Sequence, residues 1–280
     1  MKVSGLVGRS GWNLYRIILT AVIVLPFFFI VLLSFRSMTD IYTNPLGFHG
    51  HWVPGNYSEA WGGPPGGTGF SHYARNSAMV AAIAISIAAV AGSIAAHFTS
   101  LLAPRQRRKV MTIPLIATIV PVIALLIPFF QVFNAWGILS QPAALGVLYG
   151  GLCLPTTILV LHAFFVEFPA ELLEASALDG LGHFGTFRRI VLPLSISPLV
   201  AISILNIIWV WGETQVGLVL LQTAESQTIP VGVLTFQSNF IANLGPVFAG
   251  LTLATIPMAL IYLAFHRVVN RGISLGGVLR

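Results

Sequence analysis

Charged residues are scarce in this chain, and their scarcity excludes an ordinary soluble domain. Asp, Glu, Lys and Arg make up 8% of the 280 residues, whereas hydrophobic residues make up 56%. Soluble domains carry about 25% charged residues, and the mean hydropathy of +0.88 is correspondingly high. Most of the chain is therefore expected to lie in lipid.

Lysine and cysteine are nearly absent as well. The two lysines, Lys2 and Lys109, do not follow a glycine, so the chain has no G-x-x-x-x-G-K-S/T loop to hold the phosphates of a nucleotide. The single Cys153 lies in an apolar segment, which excludes an intramolecular disulfide and favours a small buried side chain. Because no Ser/His/Asp cluster or paired carboxylates occur either, we predict that the chain is not an enzyme and holds no cofactor of its own.

Two other patterns carry no ligand site. The spacing of His49, His51 and His72 matches no closed zinc pattern, so no metal site is predicted. A G-x-G-x-x-G begins at Gly180, but a dinucleotide-binding loop needs a preceding strand, and residues 165–178 are expected to be helical. These glycines are expected to form a bend between helices.

Six apolar segments are long enough to cross a bilayer. Each holds about 20 or more mostly apolar residues, enough at about 1.5 Å per residue for roughly 30 Å of hydrocarbon. They cover residues 13–35, 77–103, 110–133, 143–166, 194–221 and 246–266. The first is too long for a secretory signal and lacks a small-x-small cleavage site, so it is expected to be a retained anchor. We predict an all-α integral membrane fold with six transmembrane helices and one domain over residues 1–280.

The positions of the positive charges predict the orientation. With six spans, twelve of the 14 lysines and arginines fall on one side. They are Lys2, Arg9, Arg16, Arg105, Arg107, Arg108, Lys109, Arg188, Arg189, Arg267, Arg271 and Arg280. The other side receives only Arg36 and Arg75. By the positive-inside rule, both termini and the polar stretch at 167–193 are cytoplasmic, and the chain is a multi-pass protein of the cell membrane.

That polar stretch is longer than a turn between two spans requires. Pro169 is suited to the first turn of a helix that begins near Phe168, and Gly180 is expected to stop it. A second short helix is expected from about His183 to Val191, with Pro193 ending it. Such an excursion is typical of a docking surface for a soluble partner; the alternative is a mere connector at the membrane interface.

The same stretch resembles a known motif. Its series of a Glu-Ala-Ser, a Gly four residues later, an Ile and a Leu-Pro resembles the EAA loop of ATP-binding-cassette importer permeases. Asp179-Gly180 and Pro193-Leu194, with Pro198, resemble the carbohydrate branch of that family. Ser176 stands where that family usually has a second alanine. The residues that the resemblance assigns to coupling with an ATPase are Glu174, Ala175, Ser176, Asp179, Gly180, Ile190 and Pro193.

The C-terminus adds to the resemblance and extends what it implies. The sequence GISLGGVLR is similar to the tail of the maltose-type second permease subunit, and it assigns Gly276, Gly277 and Arg280 to contact with the ATPase. The resemblance implies a six-helix permease that pairs with a second, different permease, a cytoplasmic ATPase dimer and an extracytoplasmic solute-binding protein. ATP and magnesium would then reside on the ATPase, which agrees with the missing phosphate loop.

Glu213 is the only acidic residue deep in a predicted span, and it leads the candidates for a sugar path. An ionisable group there usually faces a cavity or a partner. Trp209, Trp211 and Gln215 surround it, and aromatic faces with a carboxylate suit a sugar. Two alternatives stay open, namely pairing with the second permease and capping a helix break at Gly212. Weaker candidates, which interhelical hydrogen bonding explains equally well, are Asn206, Gln131 and Asn134.

Other transport functions are less favoured by the sequence. An importer of another polar solute, such as a glycerophosphate, would be expected to carry a cluster of basic residues in its spans, and no such cluster is present. A stand-alone secondary transporter would be expected to show inverted repeats or several intramembrane charges. We therefore predict a permease subunit of an ATP-driven importer for a sugar, of the oligosaccharide or disaccharide class.

Overall fold

The structure is a computed structural model that describes residues 4–47, 50–64, 67–239 and 243–275, with side chains for 12–47, 50–64, 67–234 and 243–264. Helices dominate these residues. In chain order they are α1 Ser4–Ser34, α2 Met38–Thr43, α3 Gly55–Gly62, α4 Phe70–Ser100, α5 Pro104–Ile119, α6 Leu126–Ala135, α7 Pro142–Val166, α8 Ala170–Leu178, α9 His183–Thr186, α10 Leu192–Leu194, α11 Ile196–Gly212, α12 Gln215–Leu220, α13 Ile229–Asn239 and α14 Leu244–Leu275.

Four of the predicted spans are single long helices, and the chain bends inside the other two. The long apolar helices cover Trp12–Ser34, Phe70–Ser100, Pro142–Val166 and Leu244–Ala264. The bent pairs are Pro104–Ile119 with Val122–Ala135, at 87°, and His183–Leu194 with Ile196–Gly212, at 75°. Counting each pair as one span gives up to six spans in the described residues. In the described residues the regular structure is thus helical, and several helices are long and apolar enough to cross a membrane.

The chain also breaks inside two segments that the sequence predicts to be continuous, at the 87° bend and at a second place distinct from the 75° bend. Within 110–133, Val120 and Pro121 adopt extended conformations and end α5. Proline offers no backbone N–H and disfavours helical geometry in the residue before it. Within 194–221, α11 ends at Gly212 and Glu213 is extended, so that α12 is a separate short helix. Apolar composition indicates that a segment lies in lipid, but it does not indicate where a helix breaks within that segment.

The chain divides into two compact units, of which the smaller comprises Met1–Ser71 and Val233–Ile256. In this unit Asn56 Nδ2 donates to the carbonyls of Ser34 (2.9 Å) and Arg36 (3.0 Å) and so anchors α3 against the end of α1. Ser37 caps α2, and Asp40 accepts hydrogen bonds from the Ser37 hydroxyl (2.8 Å) and the His51 amide (2.9 Å). These bonds, the Ser37 bond first, hold the pKa of Asp40 below its ordinary value.

The larger unit, His72–Gly232 with Pro257–Arg280, is organised around α7. Helices α5 and α11 both pack on α7. Helix α4 approaches α7 closely through glycines: a Cβ on Gly150 would lie 2.8 Å from Ile87 Cβ, and one on Gly92 would lie 2.6 Å from Thr157 Cγ2. In lipid, such van der Waals packing through small residues replaces the hydrophobic driving force between helices.

Candidate functional site

The polar stretch 167–193 folds as a hairpin of two short helices, as Pro169 and Gly180 predict. Pro193 does not end the second helix as predicted, because the helical path runs through it to Leu194, where a proline in the first turn of a new helical segment is tolerated. Helix α8 follows Pro169 and carries Glu171 in its first turn, where a carboxylate interacts favourably with the helix dipole. Helix α9 begins at His183 and continues into a π-helical segment at Phe187–Val191. We call residues 169–191 the hairpin.

Gly180 makes the bend of the hairpin. Its φ of +77° lies in the left-handed region that glycine adopts without steric cost. The amide of Leu181 donates to the Ser176 carbonyl (3.0 Å), and the amide of Gly180 donates to the Ala177 carbonyl (3.1 Å). This pair of bonds is a Schellman motif, which satisfies the last carbonyls of α8. The predicted bend at Gly180 is confirmed.

A buried side-chain hydrogen bond ties the two helices of the hairpin together. Ser176 and Thr186 are 2% and 6% exposed, and their hydroxyl oxygens lie 2.9 Å apart. The Ser176 hydroxyl donates to the carbonyl of Leu173 (2.7 Å), so the Thr186 hydroxyl is the donor of the shared bond. An alanine at position 176, as in the EAA pattern, could not make this bond.

The outer surface of the hairpin presents large apolar side chains between charged ones. Leu178 is 89% exposed and Phe184 is 59% exposed. These two side chains make the outer surface of the hairpin a candidate interaction surface. Most of the coupling candidates are also exposed, namely Glu174, Ala175, Asp179, Gly180 and Pro193, whereas Ile190 is half-buried and Ser176 is buried.

The inner surface of the hairpin is part of an apolar core shared with three spans. Phe187 and Val191 are buried against a cluster that comprises Ala96 of α4, Leu161 and Phe165 of α7, and Ile202 of α11. The hairpin therefore has one face packed on the membrane helices and one face open. A segment built in this way can receive a partner on one side and move against helices on the other.

The break between α11 and α12 is built around Glu213. One carboxylate oxygen accepts the Val216 amide (2.9 Å), and the other accepts the Gly217 amide (3.2 Å) and the hydroxyl of Tyr149. A carboxylate at these amides satisfies the first turn of α12 and its dipole. Both oxygens of Glu213 are thus engaged, an arrangement that matches the capping alternative.

The other substrate-path candidates lie in different surroundings. Asn206 is buried and donates to Thr157 Oγ1 (2.9 Å), an interhelical bond between α11 and α7. Trp209 packs edge-on against Tyr149, with ring centroids 5.5 Å apart. Trp211 is half-buried, and the remaining three are exposed, namely Gln131, Asn134 and Gln215. The contact of these residues with sugar remains a prediction.

The structure describes neither the C-terminal residues predicted to contact the ATPase nor one of the three histidines considered for a metal site. Gly276, Gly277 and Arg280 of the C-terminal tail lie outside the described residues, as does His49. Within the described residues, no group of three His, Cys, Asp or Glu side chains is placed to hold a metal ion.

Sequence reasoning missed the residues that partner the candidates. Thr186 and Tyr149 complete the bonds of Ser176 and Glu213, and neither lies in a recognisable motif. A tyrosine in an apolar span is itself a weak signal, because a buried phenolic hydroxyl usually finds a hydrogen-bond partner. Composition also gives no sign that the buried Nε2 of His97 makes no hydrogen bond of ordinary geometry among the described residues.

Comparison with known proteins identifies the family. The family model described as "Binding-protein-dependent transport system inner membrane component" matches residues 88–275, a range that holds α7, the hairpin and α11. The chain belongs to this family.

Individual proteins of this inner membrane component type are similar over most of the chain. The trehalose transport system permease protein SugB of Mycobacterium tuberculosis is 32% identical over 75% of this chain and 77% of its own length. The diacetylchitobiose uptake system permease protein NgcG of Streptomyces coelicolor is 24% identical over 93% of this chain and 85% of its own length. A chain in the crystal structure of a bacterial ABC transporter involved in alginate import has a TM-score of 0.79 and 18% identity, covering 95% of this chain and 98% of that chain.

Proposed function

We propose that this chain is the permease subunit of an ATP-driven, binding-protein-dependent sugar importer and forms half of its translocation pathway. The family membership and relatives named for diacetylchitobiose and trehalose support a sugar as the solute. Both termini and the hairpin lie in the cytoplasm, by the positive-inside distribution of charge. A second permease chain, a cytoplasmic ATPase dimer and an extracytoplasmic solute-binding protein complete the importer.

The hairpin is the docking site for the ATPase in this proposal. The observation that carries it is the exposure of Leu178 and Phe184 on a charged, cytoplasmic segment whose other face is packed on the spans. Apolar anchors surrounded by polar groups are the usual core of a protein–protein interface. Closing of the ATPase dimer on ATP would move the hairpin, and the hairpin would move the spans.

Replacing Leu178 with Asp tests the docking role. The substitution places a charge at the most exposed apolar position of the hairpin, so we expect the ATPase to be lost from the purified complex and uptake of sugar into proteoliposomes to fall at least about tenfold, as expected for a central interface anchor. Leu101→Asp is the matched control, because Leu101 is also exposed, at 39%, and lies outside the hairpin. Retention of the ATPase with normal uptake in the Leu178 variant would reject the docking role.

A further inference from the structure

His97 of α4 lies where the hairpin meets two spans. It is 2% exposed. Its ring packs on Phe187, with centroids 5.1 Å apart and planes at 32°, and edge-on against Phe165 of α7, with centroids 6.0 Å apart. The backbone of His183, the first residue of α9, lies beside the same ring. His97 thus contacts the hairpin and also packs against a second span.

The hairpin reaches His97 through a connected path. The Ser176–Thr186 bond joins α8 to α9, and the residue after Thr186 is Phe187. Phe187 also opens the π-helical segment, and π-helical turns occur frequently at functional sites, where they are kept at a cost in helix geometry. A displacement of α8 would therefore be transmitted to the Phe187 ring and, through its contact with His97, to α4.

An imidazole at position 97 would be energetically unfavourable if the side chain served only to pack against its neighbours. Its Nε2 is buried and makes no hydrogen bond of ordinary geometry with a described residue, while the His183 backbone lies beside the ring. A buried polar atom without a partner costs free energy that a phenyl ring of similar shape would not cost. His162 of α7 shows the ordinary solution, because its Nδ1 lies 3.2 Å from the Thr99 hydroxyl.

We propose that His97 is a positioning residue for transport. It couples the hairpin to α4 through its contact with Phe187, and its Nε2 gains a hydrogen-bond partner in another conformation of the transport cycle. The inference rests on the proposed function. A side chain that is less satisfied in one conformation than in another biases the equilibrium between them. A substitution that removes Nε2 therefore removes this bias between conformations, whereas an aromatic replacement for the imidazole preserves the packing against Phe187.

His97→Phe in the complete importer tests this role. The variant is expected to assemble, retain the ATPase and melt at or above the wild-type temperature, since the unpaired nitrogen is gone. Uptake of sugar per ATP hydrolysed is expected to fall about tenfold, the factor that one unmade buried bond represents. Phe187→Leu is expected to lower the same ratio, and the double variant is expected to be no worse than the more affected single variant.

His162→Phe is the matched control, since it changes the same residue type on the neighbouring span. That variant is expected to lose stability with its Thr99 bond but to keep the wild-type uptake per ATP. A wild-type ratio in His97→Phe would overturn the proposal and leave His97 as packing, and a double variant whose losses multiply would overturn the Phe187 path. Absence of ATP-dependent sugar uptake by the wild-type complex would instead count against the proposed function.

Discussion

Ser176 is the residue at which this chain departs from the EAA pattern that it resembles, and the structure provides a physical reason for the departure. The serine hydroxyl accepts a hydrogen bond from Thr186 inside the hairpin and donates to a carbonyl of its own helix. Alanine would fill the same space but would leave Thr186 buried without a partner. Serine at position 176 therefore supplies the hydrogen-bond acceptor that the buried threonine at position 186 needs.

This pairing predicts an asymmetric pair of variants. Ser176→Ala alone is expected to destabilise the hairpin by about 1–3 kcal/mol, because the Thr186 hydroxyl stays buried and loses its partner. Ser176→Ala with Thr186→Val is expected to recover most of that loss, since both partners then become apolar with nearly the same shape. Hydrogen exchange of the amides at 170–186 in the assembled complex measures the effect. If the double variant exchanged faster than Ser176→Ala, the pairing would be contradicted.

At the scale of elements, the break between α11 and α12 determines what Glu213 can do. The carboxylate accepts two amides of α12 and the hydroxyl of Tyr149 on α7, so it caps one helix and joins it to another. An uncapped break in this position would leave amides unsatisfied away from water, at a cost that few membrane segments tolerate. This arrangement favours a structural role over direct contact with sugar.

Glu213→Gln separates the two roles. An amide keeps one accepting oxygen and places an NH2 group against the remaining donors, so we expect the complex to lose about 1–2 kcal/mol of stability and to be recovered in lower yield. Uptake per assembled complex is expected to stay close to the wild-type value. Tyr149→Phe, which leaves the cap in place and removes only the link to α7, is expected to destabilise the complex less. A loss of tenfold or more in uptake per assembled Glu213→Gln complex would restore Glu213 to the sugar path.

The whole molecule is expected to be inert without its partners. The chain has no phosphate-binding loop, and its hairpin presents apolar side chains that nothing in the described chain covers. Purified chain in liposomes is therefore expected neither to hydrolyse ATP nor to take up sugar along a gradient. Addition of the second permease, the ATPase and the binding protein is expected to produce both activities. Gradient-driven uptake by the chain alone would indicate a secondary transporter.

Much of the fold could be read from local chemistry. The positions of four single-helix spans, of helices α8 and α9 and of the bend at Gly180 follow from apolar length, from prolines at helix starts and from glycine after a helix. These signals are local because a helix satisfies its own backbone and lipid selects its length. The break at Val120–Pro121 was not predicted, and the break before Glu213 was only one of several alternatives, since apolar composition is the same on either side of a break.

The partners of each polar side chain could not be predicted in the same way. Ser176 with Thr186, Glu213 with Tyr149, and His97 with Phe187 are 10, 64 and 90 positions apart, and no periodicity links them. The sequence by itself determined that the chain is rich in apolar segments long enough to cross a membrane and where a polar segment with two short helices lies between them, because composition and spacing decide each of these. Only the tertiary structure decided which polar groups satisfy one another and which remain unpaired, because a hydrogen bond depends on distance in space and not on distance along the chain.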